Sequence, residues 1–274
     1  MRNLLKTDML RFLKTKQFLI LAIICVVYAL GYPALMYLFQ ELLNIANSQG
    51  GPIQLSFAKS FSFVHFSLGI PLLLSIIMFT TVLASEFSYG TVRNKIIAGY
   101  TRVQIYLSLL ITLFVFMFSV IFISSVLSFG LAGILFYYDN IGGTFINDIG
   151  YYFIALVVSI LIIAVYASIV CLFTIGLNKT ALSIIMPIIL IFVCLILEGI
   201  YEGLIETLIN NNSQTNFIDV LTFLKCFNLS YQSTALCNLR FEYYEILAFI
   251  FGPLGFAALL IFLGLFAFNK RDVK

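Results

Sequence analysis

The sequence has 274 residues, of which 62% are hydrophobic and only 10% are charged, and its formal net charge is +3. A soluble globular protein has about 45–50% apolar and about 25% charged residues. A water-soluble fold of this length could not cover so much apolar side chain, so the composition excludes that class and indicates a membrane protein.

The chain begins with a basic stretch, MRNLLKTDMLRFLKTK, in which apolar side chains recur near helical spacing. Lys6, Arg11 and Lys14 are interleaved with them. This pattern predicts an interfacial helix over residues 1–16 that lies on the inner leaflet, with its basic groups near anionic head groups. An ordinary basic flank of the first span would give the same pattern, and the two interpretations are compatible.

Six apolar segments are long enough to cross a bilayer as helices, since a crossing needs about 20 apolar residues. They cover residues 17–39, 61–85, 103–136, 150–177, 181–199 and 243–268. The third segment is longer than a crossing requires, so we expect it to tilt or to project from the bilayer. The sequence therefore predicts an all-α polytopic membrane protein with a single transmembrane domain over residues 1–274.

The positive charges predict the orientation of this domain. An even number of spans places both termini on one side, and twelve of the fifteen Lys and Arg residues fall on that side. The positive-inside rule makes this side cytoplasmic. Because the composition also suggests an AT-rich bacterial genome, we expect a bacterial plasma membrane with both termini in the cytoplasm.

The only sizeable segment outside the spans is predicted at residues 198–242, on the outer side. Glu198, Glu202 and Glu206 recur every four residues and share one helix face, with apolar side chains on much of the rest. The pattern predicts an amphipathic helix on the outer leaflet or dipping into it. A solvated acidic face is the favoured interpretation of the row, and attraction of a cationic cargo is the alternative. Cys226 and Cys237 also lie in this segment and could form a disulfide.

Side chains that carry catalysis or bind metals are scarce. His65 is the single histidine, and no metal-binding or catalytic motif occurs, so we expect neither a metal site nor catalytic residues. The middles of the spans carry almost no charge, which argues against a carrier driven by protons or sodium. No phosphate-binding loop is present either. Pro71 and Pro187 lie inside predicted spans and are candidate hinges.

A polar, basic run at residues 86–102 interrupts the apolar sequence on the predicted cytoplasmic side. Thr91 is placed to cap a short helix at its start, and Gly99 is placed to end it. The apolar side chains of this helix are spaced to form one face: Val92, Ile96 and Ile97. The run therefore predicts an amphipathic helix at the membrane surface, although a plain basic anchor loop would satisfy the charge pattern as well.

The stretch EFSYGTVRNKIIAGYTRVQIYLS resembles the cytoplasmic connection in permease subunits of type-2 ATP-binding-cassette exporters. The matching residues are Glu86 at the end of the second span, the pair Gly90 and Thr91, Arg93, and the pair Thr101 and Arg102. Two positions depart from the pattern, because many members have Pro where Gly99 stands and Lys where Leu109 stands. The amino-terminal helix, the six spans and the outer segment extend the likeness over the whole chain.

This resemblance implies that residues 86–102 form a coupling segment that docks onto a separate ATPase subunit, with the amino-terminal helix bordering the same subunit. Two permease subunits and an ATPase dimer would form the working unit, and the second permease would be an identical or a related chain. ATP and Mg would bind to the ATPase, so this chain would hold no cofactor and would not be an enzyme. Its other partner would be the lipid bilayer, and we expect no nucleic acid.

Roles for individual residues follow from the resemblance. We expect Gly90 and Thr91 to set the turn and the cap, and Arg93 and Lys95 to contact ATPase carboxylates or lipid phosphates. Asn94 would lie in the same docking surface. An ion pair between Glu86 and Arg102, or between either residue and a neighbour, would fix the geometry of the segment.

The apolar spans favour export of a hydrophobic or amphipathic cargo, such as an antimicrobial peptide or bacteriocin, a lipid or a drug. Two other functions are weaker alternatives. One is a membrane resistance or sensor partner that transports nothing. The other is a polytopic membrane enzyme, which a chain with one histidine favours least.

Overall fold

A computed structural model describes residues 1–46, 70–135, 145–177, 180–210, 215–238 and 243–270, and every regular element in these ranges is an α-helix. In chain order the helices are α1 (Arg2–Leu13), α2 (Lys16–Ala46), α3 (Ile70–Ser88), α4 (Thr91–Ile97), α5 (Arg102–Leu135), α6 (Phe145–Gly176), α7 (Thr180–Asn210), α8 (Thr215–Cys226), α9 (Leu229–Asn238) and α10 (Tyr243–Lys270).

Within the described residues, six helices are long and apolar enough to cross a membrane, and they are α2, α3, α5, α6, α7 and α10. Each contains most of one predicted span, so the prediction of a polytopic all-α membrane protein is confirmed. Residues 61–69 of the second predicted span lie outside the described ranges. At 34 residues, α5 is about 51 Å long at 1.5 Å per residue, which exceeds the thickness of a hydrocarbon core of about 30 Å.

The spans differ in how much of their surface other helices cover. Helices α3, α5 and α6 form the centre of the bundle and are half buried or more, whereas only about a quarter of each of α2, α7 and α10 is buried. The most extensive packing joins α10 to α6 and α2 to α5. Lipid is the natural neighbour of exposed apolar side chains on helices of this length and composition.

Both ends of the chain meet at one end of the bundle, which we call the α4 end. Lys95 of α4 contacts Asp8 of α1, and Arg102 at the start of α5 contacts carbonyl groups at the end of α10. This agrees with an even number of crossings. The opposite end carries a helical hairpin formed by α8 and α9, which packs between α7 and α10.

The acidic row at the opposite end differs from the prediction in two ways. Residues 198–210 continue the fifth span as part of α7 and do not begin a separate helix. Glu198 is also buried, and its carboxylate accepts a hydrogen bond from Ser230 of α9. Glu202 and Glu206 remain exposed, and Glu202 forms an ion pair with Lys225 (Nζ to Oε1, 2.9 Å). The prediction of a solvated acidic face is therefore wrong for Glu198.

The candidate hinges and the candidate disulfide have separate outcomes. Pro71 is the second residue of α3 as described, and the residues immediately before Ile70 lie outside the described ranges, so the hinge at Pro71 stays a prediction. Pro187 does lie inside α7. Cys226 is a free, buried thiol, so the disulfide with Cys237 does not form. His65 lies outside the described residues.

Candidate functional site

Helix α4 is bounded by two glycines in the left-handed backbone conformation. Gly90 (φ +68°) stands immediately before the helix and Gly99 (φ +89°) stands two residues after it. The N–H of Gly99 donates to the Ile96 carbonyl (3.0 Å), and the N–H of Tyr100 donates to the Lys95 carbonyl (3.2 Å). This pair of bonds is a Schellman motif, which glycine favours because it has no Cβ to clash at positive φ. The prediction that Gly99 ends the helix is confirmed.

Thr91 joins α4 to the end of α3 and does not cap its own helix. Gly90 holds the N-cap position, and no side chain caps the helix there. The Thr91 hydroxyl points back along the chain and donates to the Glu86 carbonyl oxygen (2.8 Å) and to Glu86 Oε2 (3.3 Å). The predicted cap is therefore wrong, because Thr91 is already the first helical residue. Its hydroxyl fixes the corner between the two helices.

Behind α4 lies a cluster of charges that we call the charge network, in which the carboxylates of Asp8 and Glu86 are buried, Lys95 is partly buried and Arg11 is exposed. Lys95 Nζ lies 2.7 Å from Asp8 Oδ1 and 3.0 Å from Glu86 Oε2. Arg11 Nη1 lies 3.3 Å from Glu86 Oε1, an ion-pair distance without hydrogen-bond geometry, and no described residue donates a hydrogen bond to Oε1. Ser108 of α5 completes the surroundings by donating to Asp8 Oδ2 (2.7 Å).

The charge network balances two carboxylates against two cations. Asp8 and Glu86 are each 1% exposed, and a buried carboxylate is strongly unfavourable unless it is paired and hydrogen-bonded. Here each carboxylate has a cation within 3.0 Å and a hydroxyl donor. Removing one partner would leave a buried charge uncompensated, at a cost of about 3–5 kcal/mol. The network therefore holds α1, α3, α4 and α5 in one arrangement.

Arg102 holds the other end of the coupling segment. Its Nη1 donates to the carbonyl oxygens of Phe268 (3.0 Å) and Asn269 (2.7 Å), which belong to the last turn of α10. The last four carbonyls of a helix lack partners within the helix, and a cation there also interacts favourably with the helix dipole. The predicted pair between Glu86 and Arg102 does not form, because Glu86 pairs with its neighbours Lys95 and Arg11.

The face of α4 that points away from the bundle combines apolar and polar groups. On α4, Ile97 is 73% exposed and Arg93 and Asn94 are also exposed, and Tyr89, in the turn before the helix, is 78% exposed. Val92 is buried and Ile96 is partly buried, whereas Ile97 is exposed, so the three side chains predicted to form one apolar face differ in their surroundings. Lys95 takes an inner position, so it does not reach outward as predicted.

The sequence matches the family DUF2705, described as a protein of unknown function, over residues 18–274. The chain belongs to the DUF2705 family. Comparison with curated proteins gives no match. Glu86 and Lys95 lie within the range that DUF2705 covers, whereas Asp8 and Arg11 precede it.

Two residues of this DUF2705 chain that sequence reasoning missed are Asp8 and Ser108. The sequence pattern does indicate that Asp8 is buried, because Leu4, Asp8 and Phe12 are spaced four residues apart and therefore share one helix face. That face is the buried side of α1. Nothing in the sequence distinguishes Ser108 from the other serines of the spans. Among the described residues, no group of three or more His, Cys, Asp or Glu side chains could hold a metal ion.

Proposed function

We propose that this DUF2705 chain is the permease subunit of an ATP-driven exporter in a bacterial plasma membrane, with both termini in the cytoplasm. Helix α4 is its coupling helix and docks onto a separate ATPase subunit that binds ATP and Mg. The working assembly contains a second permease subunit and an ATPase dimer. The sequence resemblance of residues 86–102 to type-2 exporters and the geometry of α4 support this proposal.

The observation that carries the proposal is the two-sided character of α4. Its inner side is fastened by Lys95 to two buried carboxylates, and the segment that follows it is fastened by Arg102 to α10. Its outer side leaves Ile97 uncovered, and Tyr89 in the turn before it is uncovered as well. A seven-residue helix has too few internal hydrogen bonds to be stable alone, so its attachment makes it a rigid element that can pass a displacement to the spans.

The exposed face of α4 also indicates what kind of surface it fits. Ile97 of α4 and Tyr89 of the turn before it provide apolar contact area, and Arg93 of α4 provides a cation. Such a face suits a shallow apolar groove with carboxylates at its rim, since buried apolar anchors give affinity and rim charges guide association. Arg93 is the basic residue of α4 that is free to serve this role, because Lys95 is committed to the charge network.

The proposed cargo is hydrophobic or amphipathic: a peptide such as a bacteriocin, a lipid or a drug. In five of the six described spans charged residues lie only at or near the ends, and α7 carries Glu198, which accepts a hydrogen bond from Ser230, in its second half. Charge at membrane depth is the usual mark of an ion-coupled carrier. Energy from ATP hydrolysis in a partner subunit fits spans of this kind. The cargo classes can be compared by the ATPase stimulation each produces in proteoliposomes.

The experiment is co-purification with a soluble ATPase that carries a phosphate-binding loop, which we expect a neighbouring gene to encode. Arg93→Glu and Ile97→Asp should each abolish co-purification and cargo transport. The first places a negative charge against the carboxylates at the rim of the proposed ATPase groove, and the second buries a charge inside that groove. Asp219→Arg is the matched control, since Asp219 is exposed on α8 at the opposite end. The proposal is wrong if both α4 variants assemble with the ATPase and transport as well as the control does.

A further inference from the structure

We infer that Asp8 of α1 is a positioning residue that holds Lys95 and thereby fixes α4 against α1. The contact between Asp8 and Lys95 lies within this chain and needs no partner subunit. Its role in coupling rests on the function proposed above.

Helix α1 is anchored in the bundle by the same face that carries Asp8. Phe12 is fully buried and stacks on Phe116 of α5 with ring centroids 5.7 Å apart, and it lies 6.3 Å from the Phe79 ring of α3. Leu4 is buried on the same side. Asp8 lies between Leu4 and Phe12 on this otherwise apolar face. A buried carboxylate there is unfavourable by itself, so its position must be explained by the cation that it meets.

The charges on α1 and on the corner between α3 and α4 are complementary. Helix α1 brings one acid and one base, Asp8 and Arg11, and the corner brings one base and one acid, Lys95 and Glu86. Asp8 pairs with Lys95 at 2.7 Å, and Arg11 pairs with Glu86 at 3.3 Å. The two elements therefore meet through two ion pairs of opposite polarity. This arrangement specifies how α1 sits against α4 as well as how firmly it is held.

Lys95 lies within reach of two carboxylates, and each carboxylate also accepts a hydrogen bond from a hydroxyl group. Asp8 accepts a hydrogen bond from Ser108, and Glu86 accepts one from Thr91. A small displacement of α4 can thus lengthen one of the two Lys95 contacts without leaving either carboxylate alone. Because α1 is followed by α2 after only Lys14 and Thr15, a displacement passed to α1 reaches the first span directly.

The first test uses the chain alone, in lipid nanodiscs, and measures backbone hydrogen exchange. Asp8→Asn keeps the size of the side chain and removes its charge. We expect the amides of α4 to exchange at least about tenfold faster, because a charge-assisted hydrogen bond is lost, while the amides of α6 keep their rates. Thr7→Ala is the matched control, since Thr7 is on the exposed face of α1 and its hydroxyl bonds only within α1.

The conservative change Asp8→Glu provides the second variant. It keeps the carboxylate with a longer reach, so the α4 rates should stay near those of the native chain. If Asp8→Asn fails to fold, fast exchange in α4 of Asp8→Glu would overturn the inference. Unchanged α4 exchange in folded Asp8→Asn would overturn the inference.

The third measurement separates the inference from the proposed function. With the ATPase present, Asp8→Asn should leave co-purification intact and lower the amount of cargo moved per ATP hydrolysed, and Asp8→Glu should keep the native ratio. A native ratio in Asp8→Asn would overturn the coupling role of α1. Failure of the native chain to bind any ATPase would instead overturn the proposed function, and the exchange result would still decide whether Asp8 positions α4.

Discussion

Gly264 of α10 lies directly against the phenol ring of Tyr106 on α5. A Cβ added at residue 264 would come within 2.7 Å of Tyr106 Cζ and 2.9 Å of Cε2, which are closer than atoms can pack. Tyr106 is fully buried, so its ring has little room to move away. The last span therefore approaches the third span closely at this point, as small residues permit in membrane helices.

This contact predicts that Gly264→Ala destabilises the bundle by about 1–3 kcal/mol, the usual cost of overpacking a core. Thermal unfolding in detergent would measure the effect. Gly255→Ala is the control on the same helix, since no atom lies within 4 Å of its added Cβ. It should be neutral or stabilising by up to about 1 kcal/mol, because alanine favours a helix interior. Equal effects of the two substitutions would contradict the contact.

Gly99 gives a prediction for the coupling segment itself. Its φ of +89° disfavours any residue with a Cβ, so Gly99→Ala should destabilise the end of α4 by about 1–2 kcal/mol. Hydrogen exchange of the Gly99 and Tyr100 positions would show the effect, because both N–H groups donate within the Schellman motif. Gly176→Ala, at the end of α6, is the comparison at a glycine without positive φ and with open space around it. Similar exchange in both variants would argue against strain at residue 99.

The spans could be predicted from the sequence because a long apolar run has few alternatives in a bilayer. The limits of α7 could not, since residues 200–210 combine acidic and apolar side chains in a pattern that suits either a continued span or a separate surface helix. The structure decides between these through α8 and α9, which cover Glu198 and pair with Glu202. Apolar periodicity within one segment contains no information about such neighbours.

The coupling segment shows the same limit at the level of single residues. The spacing of Val92, Ile96 and Ile97 indicates which side chains share a face, but only the surroundings decide which face is buried. The carboxylates of Asp8 on α1 and Glu86 on α3 lie on the inner side of α4 and bind Lys95 there, whereas Ile97 is exposed on the outer side. Helix boundaries, set by local backbone chemistry at Gly90 and Gly99, were predictable, whereas contacts between segments 80 residues apart were not.

The hydrogen bond from Ser230 to Glu198 gives a prediction at the opposite end of the bundle. Ser230→Ala removes a donor from a buried carboxylate, so it should destabilise the protein by about 1–3 kcal/mol. Ser119→Ala is the matched control, because the Ser119 hydroxyl bonds only to a carbonyl of its own helix (Val115 O, 2.7 Å). Thermal unfolding in detergent would compare them. Combining Ser230→Ala with Glu198→Gln should cost less than the sum of the two single changes.

Cys226 gives a prediction about thiol chemistry. Burial raises the pKa of its thiol from 9.0 to about 11, the carboxylate of Glu245 adds to the increase, and the Lys225 ammonium opposes it. Because the thiolate is the reactive form, Cys226 should stay protonated at pH 8 and react with a maleimide about a hundredfold more slowly than a cysteine of ordinary pKa. Its rate should rise about tenfold per pH unit until pH approaches 11, provided that the fold persists.

The measurement uses a chain in which Cys226 is the only cysteine. The control keeps no native cysteine and carries Phe223→Cys, which places a thiol on the exposed side of the same helix. The control should be labelled rapidly at pH 8 and should level off near pH 9, whereas Cys226 should not. Rapid labelling of Cys226 at pH 8 would show that α8 does not pack against α7 and α10 as the structure has it, and the buried hydrogen bond of Glu198 would then need another explanation.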